Sequence, residues 1–335
     1  MYPNPSFIKC IEKIENGYKV LNSLEIIYEG DFKFNNIDTV YYYKPKAKKF
    51  DYVAAFDLDW TLSYNEKHLF PKEVDDIKIF PNRRKLLEDI IKLGYTIVIF
   101  TNQYAKSKQE KQKKVDRIVH FLKQLKLPVY VYIATEKDDY RKPNIGMWNL
   151  FSNDLNIKKL IFVGDALGRP QDFSDSDLLF AKNLKINVDI SSPEDFFGLA
   201  PIPHFNSEKE LVIFVGMPGS GKSTYYNKYL SDHIHIEQDK LGSRVKVIKH
   251  LDESLKSGKS IVIDSTNPTQ EGREEYYLKA RKYNYNIKVL YFLINGTGFN
   301  KLRDKPVPTI AYHIYFKKLE PPTIENTTGE LIYIY

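Results

Sequence analysis

A single cysteine, Cys10, in 335 residues has no partner for an internal disulfide, which excludes a disulfide-stapled scaffold and fits a reducing compartment. Long apolar runs are also missing. The hydrophobic stretches, such as Thr96 to Phe100 and Leu211 to Val215, have the length of strands and fall far short of a bilayer span. The start, Met1-Tyr2-Pro3-Asn4, lacks a basic stretch, an apolar core and a small-residue cleavage site. The sequence therefore predicts an intracellular protein, of nucleus or cytoplasm, that is not secreted and does not meet a membrane. It contains no internal repeat.

The hydrophobic fraction of 42% and the charged fraction of 28% belong to a globular chain rather than a disordered one. At 335 residues the chain exceeds the usual single-domain size, so two domains are expected. Lys and Arg number 50 against 43 Asp and Glu, a formal charge of +7 that would concentrate an anionic partner near the surface. The same excess also fits a merely well-solvated surface.

Residues 1–50 carry no recognisable chemistry; Thr39 to Tyr43 reads as a strand ahead of the basic connector Lys44 to Lys49. From Asp51 the pattern becomes strand then helix, with apolar runs at Tyr52 to Phe56, Thr96 to Phe100 and Leu160 to Val163. Proline and alanine around Ala200-Pro-Ile-Pro-His204 break regular structure and mark a linker. A second α/β rhythm follows, with runs at Leu211 to Val215, Ile261 to Ile263 and Ile287 to Phe292. The expected organisation is an N-terminal extension over 1–50 packing on a first domain at 51–198, a linker at 199–208, and a second domain at 209–335. The charged run Lys106 to Lys114 reads first as a solvated helix face and second as a nucleic-acid contact.

The run Tyr52 to Phe56 leads into Asp57-Leu-Asp-Trp-Thr61. Extended backbone would put Asp57 and Asp59 on one side, beyond the carboxyl end of a strand, where open α/β sheets bind ligands. Two such carboxylates suit a covalent mechanism, one attacking phosphorus and the other donating a proton to the leaving oxygen. An anionic nucleophile and an anionic phosphate need charge compensation, and hard oxygen donors suggest Mg2+. Thr101, Asn102 and Gln103 follow the next strand and offer a hydroxyl and amides to phosphate oxygens. Arg141 and Lys142 supply positive charge, and Asp165 a further carboxylate, with Asp172, Asp175 and Asp177 close behind. Each of these taken alone could be a turn former or a helix cap; their order, at the ends of successive apolar runs, favours the chemical reading.

These residues resemble the haloacid dehalogenase superfamily, and Gly164-Asp-Ala-Leu-Gly-Arg-Pro-Gln-Asp-Phe-Ser-Asp-Ser-Asp177, Phe180-Ala-Lys-Asn183 and Pro193-Glu-Asp-Phe-Phe197 resemble the phosphatase domain of polynucleotide kinase 3′-phosphatases. The resemblance implies Asp57 as nucleophile, Asp59 as general acid and base, Thr101, Asn102 and Lys142 as phosphate holders, Asp57, Asp59 and Asp165 at Mg2+, and Asp172 in support. Relatives mostly carry glycine where this chain has Trp60, a side chain that either packs away or offers a stacking surface to a base or sugar.

The second domain opens with Gly216-Met-Pro-Gly-Ser-Gly-Lys-Ser-Thr224 directly after a strand. This is a phosphate-binding loop: Gly216, Gly219, Ser220 and Gly221 let backbone NH groups wrap phosphates, Lys222 reaches the outer phosphates, and Ser223, followed by Thr224, holds Mg2+. ATP is the implied donor. Asp239, after the run His233 to Ile236, is a candidate base for an attacking hydroxyl or a helix cap. Asp264 begins Asp-Ser-Thr-Asn-Pro268 and is either a second site carboxylate or a turn former. Asp-Lys-Leu-Gly-Ser243, Asp-Ser-Thr-Asn-Pro268 and the tail Tyr315 to Thr323 resemble the kinase domain of the same family. That resemblance implies Asp239 activating a 5′ hydroxyl, Asp264 positioning it, and Arg273 as a phosphate contact. Arg303 is read either as a clamp on ATP phosphates or as a surface arginine.

The predicted fold class is α/β with two domains, a haloacid dehalogenase-like Rossmannoid parallel sheet followed by a P-loop NTPase-type parallel sheet. The expected function is repair of nucleic-acid ends: removal of a 3′ phosphate and phosphorylation of a 5′ hydroxyl. The order of the domains resembles the DNA enzyme, so DNA is favoured over RNA, and a ligase or other repair protein is an expected partner. The roughly 50 residues ahead of the first motif strand are too few for a phosphopeptide-binding module of about 100 residues. The competing readings are an RNA-end repair enzyme, a small-molecule phosphatase fused to a metabolite kinase, and an inert end-binding adaptor.

Overall fold

The apolar runs become strands buried on both faces, which is why they read as continuous rather than alternating. The computed structural model describes residues 32–68, 71–200, 202–206 and 208–335, and the chain divides into two compact units, the first ending at Gly198 and the second running from Leu199 and also taking in the short segment Glu66–Leu69. In the first unit the strands are β1 (Asn35–Ile37), β2 (Val40–Tyr43), β3 (Tyr52–Phe56), β4 (Ser63–Asn65), β5 (Ile77–Ile79), β6 (Tyr95–Asn102), β7 (Tyr130–Ala134), β8 (Lys159–Val163) and β9 (Val188–Ser191). Seven of them form one sheet in the order β1-β2-β7-β6-β3-β8-β9. From β7 to β9 the neighbours are parallel, and β2 joins β7 antiparallel. The segment before Asp51 thus extends the sheet at its edge; residues 1–31 lie outside the described residues.

Side-chain alternation divides the sheet between two cores. Ala54, Phe56, Ile97, Ile99, Val131 and Ile133 join one, against helices Arg83–Lys92 and Lys108–Leu125; Val53, Ala55, Val98, Phe100, Tyr130 and Tyr132 join the other, against Gly146–Ser152 and Ser176–Asn183. Strand β7, which the sequence analysis did not single out, is buried at every residue. Its alternation of tyrosine with valine and isoleucine was legible, but no chemistry-bearing cluster follows it to draw attention. Phe100 sits at a junction of rings, with centroids of Tyr132, Trp148, Phe151 and Phe180 at 5.5 to 6.2 Å.

Between β3 and the helix Arg83–Lys92 the chain makes a small antiparallel hairpin of β4 and β5. Trp60 enters it in the left-handed region, φ +63°, with its NH on the Ser63 carbonyl at 2.7 Å and its ring 6.4 Å from that of Phe80. The ring therefore packs on the hairpin and remains half-exposed. The backbone conformation is one that glycine adopts without strain, which accounts for the glycine usual at this place in the resembling family.

The second unit is a five-stranded, all-parallel sheet of β10 (Glu210–Gly216), β11 (Ile234–Glu237), β12 (Ile261–Asp264), β13 (Asn286–Phe292) and β14 (Glu330–Ile334), ordered β11-β12-β10-β13-β14. The stretch expected as a linker is tied to this unit: the Ala200 NH donates to the Tyr335 carbonyl, and the His204 carbonyl accepts from Lys288. In both sheets strand order reverses beside the first motif strand, β3 in one and β10 in the other, opening a crevice at its carboxyl end.

Replacing Phe100 with alanine should destabilise the first unit by about 3–5 kcal/mol, through lost burial and the cavity left behind. Val245→Ala, at a side chain 79% exposed, should stay within about 0.5 kcal/mol of the parent. Urea denaturation of both variants checks the pair.

Candidate active sites

The first site gathers at the carboxyl ends of β6, β3 and β8. Asp57 follows β3 and is buried, its NH held by the Val163 carbonyl at 2.9 Å. Lys142 lies between two carboxylates, with Nζ 2.6 Å from Asp57 Oδ1 and 2.7 Å from Asp177 Oδ1. Asp57, Asp165 and Asp177 can bring one oxygen each to within 4.8 Å of one another. Burial, and next Asp177 and Asp59, push Asp57 from 3.8 up to about 7 against the pull of Lys142. Asp165 is likewise pushed well above its ordinary range by burial and by Asp57 and Asp177, while the two carboxylates at Lys142 hold that ammonium charged despite its burial. Three carboxylates to one ammonium is a charge imbalance that a hard divalent cation suits, and the donor set is all oxygen. Gly164 makes this approach possible, because a Cβ there would collide with the Asp177 carboxylate.

Asp59 is held by a second set of partners. Gln103 Nε2 donates to its Oδ2 at 2.6 Å, Arg117 pairs with its Oδ1, and Arg117 also donates to Gln103 Oε1 at 3.2 Å. Its carboxylate thus lies outside the trio that could share a metal, where Asp177 stands beside Asp57 and Asp165 in the place expected for Asp59. Thr101 Oγ1 is buried and accepts from Gln103 Nε2 at 2.8 Å. Asn102 does not present its amide to the pocket: Nδ2 donates to the Lys142 carbonyl and Oδ1 accepts the Lys142 NH, each at 3.0 Å. Its contribution is to fix the backbone that carries Lys142. Asp172 is similarly structural, accepting the Leu167 and Arg169 NH groups and pairing with the Arg169 guanidinium, so it braces the loop after β8.

In the second unit the phosphate-binding loop leaves β10 and feeds the helix Lys222–Tyr229. Gly219, at φ +77°, has no room for a Cβ, which would strike the Gly296 carbonyl; a Cβ on Gly296 would strike that of Pro218. The two backbones touch, and Gly296, which the sequence analysis did not mark, braces the loop from the segment after β13. Lys222 Nζ donates to the Gly216 and Met217 carbonyls at 3.0 and 2.8 Å. Burial pushes it down to about 8, with Asp264 and Asp239 opposing.

Ser223 Oγ donates to Asp264 Oδ2 at 2.8 Å, and His235 Nε2 lies 3.1 Å from the same oxygen, its ring stacked on Tyr226 at 3.7 Å. Asp264 therefore belongs beside Ser223. A cavity of about 1140 Å3 is lined by residues of the loop with Thr224, Asp239, Arg244, Asp264 and Arg303. Arg273 is absent from that lining: fully buried, it donates to the Asn267, Pro268 and Glu320 carbonyls at 2.8 to 3.1 Å. The expected phosphate contact is instead the tie that holds the loop after Asp264, and Arg244 is the arginine that faces the cavity from the neighbouring helix.

Among the described residues no helix is long and apolar enough to cross a membrane. The fold and the two sites define a haloacid dehalogenase-type phosphatase unit joined to a P-loop kinase unit. Residues 52–197 match the family model described as polynucleotide kinase 3 phosphatase, and residues 211–296 the one described as AAA domain. The chain is 31% identical over 367 aligned residues to the bifunctional polynucleotide phosphatase/kinase of Schizosaccharomyces pombe, covering 95% of this chain and 84% of that one. It is 32% identical over 167 residues to the polynucleotide 3′-phosphatase ZDP of Arabidopsis thaliana, covering 43% of this chain and 24% of that one. This chain belongs to the bifunctional polynucleotide phosphatase/kinase family, whose phosphatase and kinase chemistries generally use Mg2+ and ATP.

The raised Asp57 pKa sets a pH dependence. The folded chain keeps a proton that the unfolded chain has lost above pH 3.8, so this contribution is full below that value and disappears as pH rises through about 7. Without divalent cation, melting temperature should fall across this window, and Asp57→Asn should flatten the fall. Added Mg2+ should raise it more at pH 8 than at pH 5. Scanning fluorimetry in EDTA and in Mg2+ checks both.

Proposed function

We propose that the chain prepares polynucleotide ends for ligation, removing a terminal 3′ phosphate in its first unit and phosphorylating a 5′ hydroxyl in its second. The observation that supports this best is the pairing of both sites on one chain aligned along nearly its whole length with a bifunctional relative. In the phosphatase reaction an Asp57 oxygen attacks phosphorus and the bond to the 3′ oxygen breaks, that oxygen taking its proton from Asp59. Water then attacks the aspartyl-phosphate, gives its proton to Asp59 and releases inorganic phosphate. Lys142 and Thr101 hold the phosphate oxygens. Asp57, Asp165 and Asp177 would hold Mg2+, which supplies charge compensation to the bound phosphate.

In the kinase reaction Asp239 takes the proton of the 5′ hydroxyl as its oxygen attacks the γ-phosphorus of ATP, and ADP leaves. Lys222 and the loop NH groups hold the donor phosphates, Ser223 with Asp264 would hold Mg2+, and Arg303 and Arg244 face the same cavity as cations for donor or acceptor. DNA is favoured as substrate by the order of the units, and a reducing interior, nucleus or cytoplasm, by the lone cysteine. A DNA ligase is the class of enzyme that would use the product.

A nicked duplex with 3′ phosphate and 5′ hydroxyl ends, incubated with Mg2+ and ATP, should be converted at both ends. Asp57→Asn should abolish only the first conversion, and Lys222→Ala should slow only the second by roughly 10²–10³-fold. Turnover of a small phosphoester or of ATP with both ends unchanged would instead support a small-molecule phosphatase fused to a metabolite kinase.

A further inference from the structure

The helix Lys108–Leu125 follows β6 and carries Arg117, only 2% exposed, to the Asp59 carboxylate. At about 100° per residue, Lys114 lies between Arg117 and Lys111 around the helix, roughly 60° from each. Its neighbours are satisfied: Lys111 pairs with Glu136, and Lys113 with Glu73 at 3.1 Å. Lys114, half-buried, makes no hydrogen bond or ion pair with any described residue. The carboxylates that favour its charge, Asp59 and Glu110, are already engaged, the first by Arg117 and Gln103 and the second by the NH groups of Lys106 and Ser107. Burial and Arg117 hold the ammonium below its ordinary value. A partly desolvated cation with no anion of its own is costly, and an incoming anion relieves that cost.

We propose that Lys114 is a substrate-binding residue that takes the first internal phosphodiester of the polynucleotide whose 3′ phosphate lies at Asp57. This rests on the phosphatase reading above. The 3′ oxygen that Asp59 protonates belongs to a sugar whose 5′ oxygen carries that phosphodiester. A cation on the Asp59 side of the pocket is therefore placed for the leaving strand rather than for the phosphate being removed. The assignment gives part of the charged run Lys106 to Lys114 a contact with nucleic acid, while Lys111 and Lys113 remain tied to the protein.

The test compares thymidine 3′-monophosphate, which has no internal phosphodiester, with a short 3′-phosphorylated thymidine oligonucleotide, using Lys114→Ala and Lys114→Arg. For Lys114→Ala, kcat/KM on the oligonucleotide should fall about tenfold, through KM, and the salt dependence of its binding should lose about one unit of slope. Turnover of the mononucleotide should stay within about twofold, which also shows that the variant folds. Lys114→Arg should retain the parent behaviour. Equal losses on both substrates, or no loss on either, overturn the assignment alone. A parent enzyme that hydrolyses the mononucleotide but not the oligonucleotide overturns both the polynucleotide reading and this assignment.

Discussion

The phosphatase site depends on one buried ammonium held between two buried carboxylates. Lys142 touches Asp57 and Asp177, and Asp165 completes a group of three acids around a single cation. Such charges are tolerable away from water only when paired and hydrogen-bonded, so the surrounding backbone is arranged to keep them so. Gly164 leaves room for Asp177, the Ala166 NH donates to the same carboxylate, and the Asn102 amide grips the Lys142 backbone on both sides. The remaining excess of carboxylates over cations would suit a divalent cation, which would in turn offset the charge of an incoming phosphate, and this distinguishes the place from a closed salt-bridge cluster.

The two units reach comparable phosphate chemistry by opposite means. In the first, side chains from the ends of several strands converge, and each is aimed by a neighbour: Gln103 and Arg117 for Asp59, Asn102 for Lys142. In the second, backbone does most of the holding, and its shape rests on the contact between Gly219 and Gly296. Side chains there play a smaller part, with Lys222 turned onto loop carbonyls and Ser223 bonded to Asp264. Both arrangements sit where strand order reverses, because parallel strands flanking that point diverge into helices on opposite faces.

Legibility in the sequence followed that contrast. A phosphate-binding loop is a continuous stretch whose glycines and lysine stand at fixed spacing, so it was readable in full. The acids of the first unit were readable as strand-end residues, and Asp57, Lys142 and Asp165 come together as expected. Choosing among Asp172, Asp175 and Asp177 was another matter, since all three follow Asp165 at loop spacing; only the folded loop turns Asp177 inward and Asp172 onto Arg169. Asn102 and Arg273 show the same limit: residue type suggested a ligand contact, whereas their hydrogen bonds hold protein groups.

By itself the sequence determined two α/β units, the strand ends at which their chemistry gathers, and the phosphate-binding loop, because hydrophobic runs and glycine spacing act locally along the chain. The tertiary structure alone decided which carboxylate completes the acidic trio, that Arg117 reaches Asp59 across 58 positions of sequence, and that Gly296 braces Gly219. It also decided that Arg273 is buried structure and that Lys114 has no paired anion among the described residues. Those outcomes depend on distances between segments far apart in the chain, set by sheet order and helix packing, and no local pattern of residues encodes them.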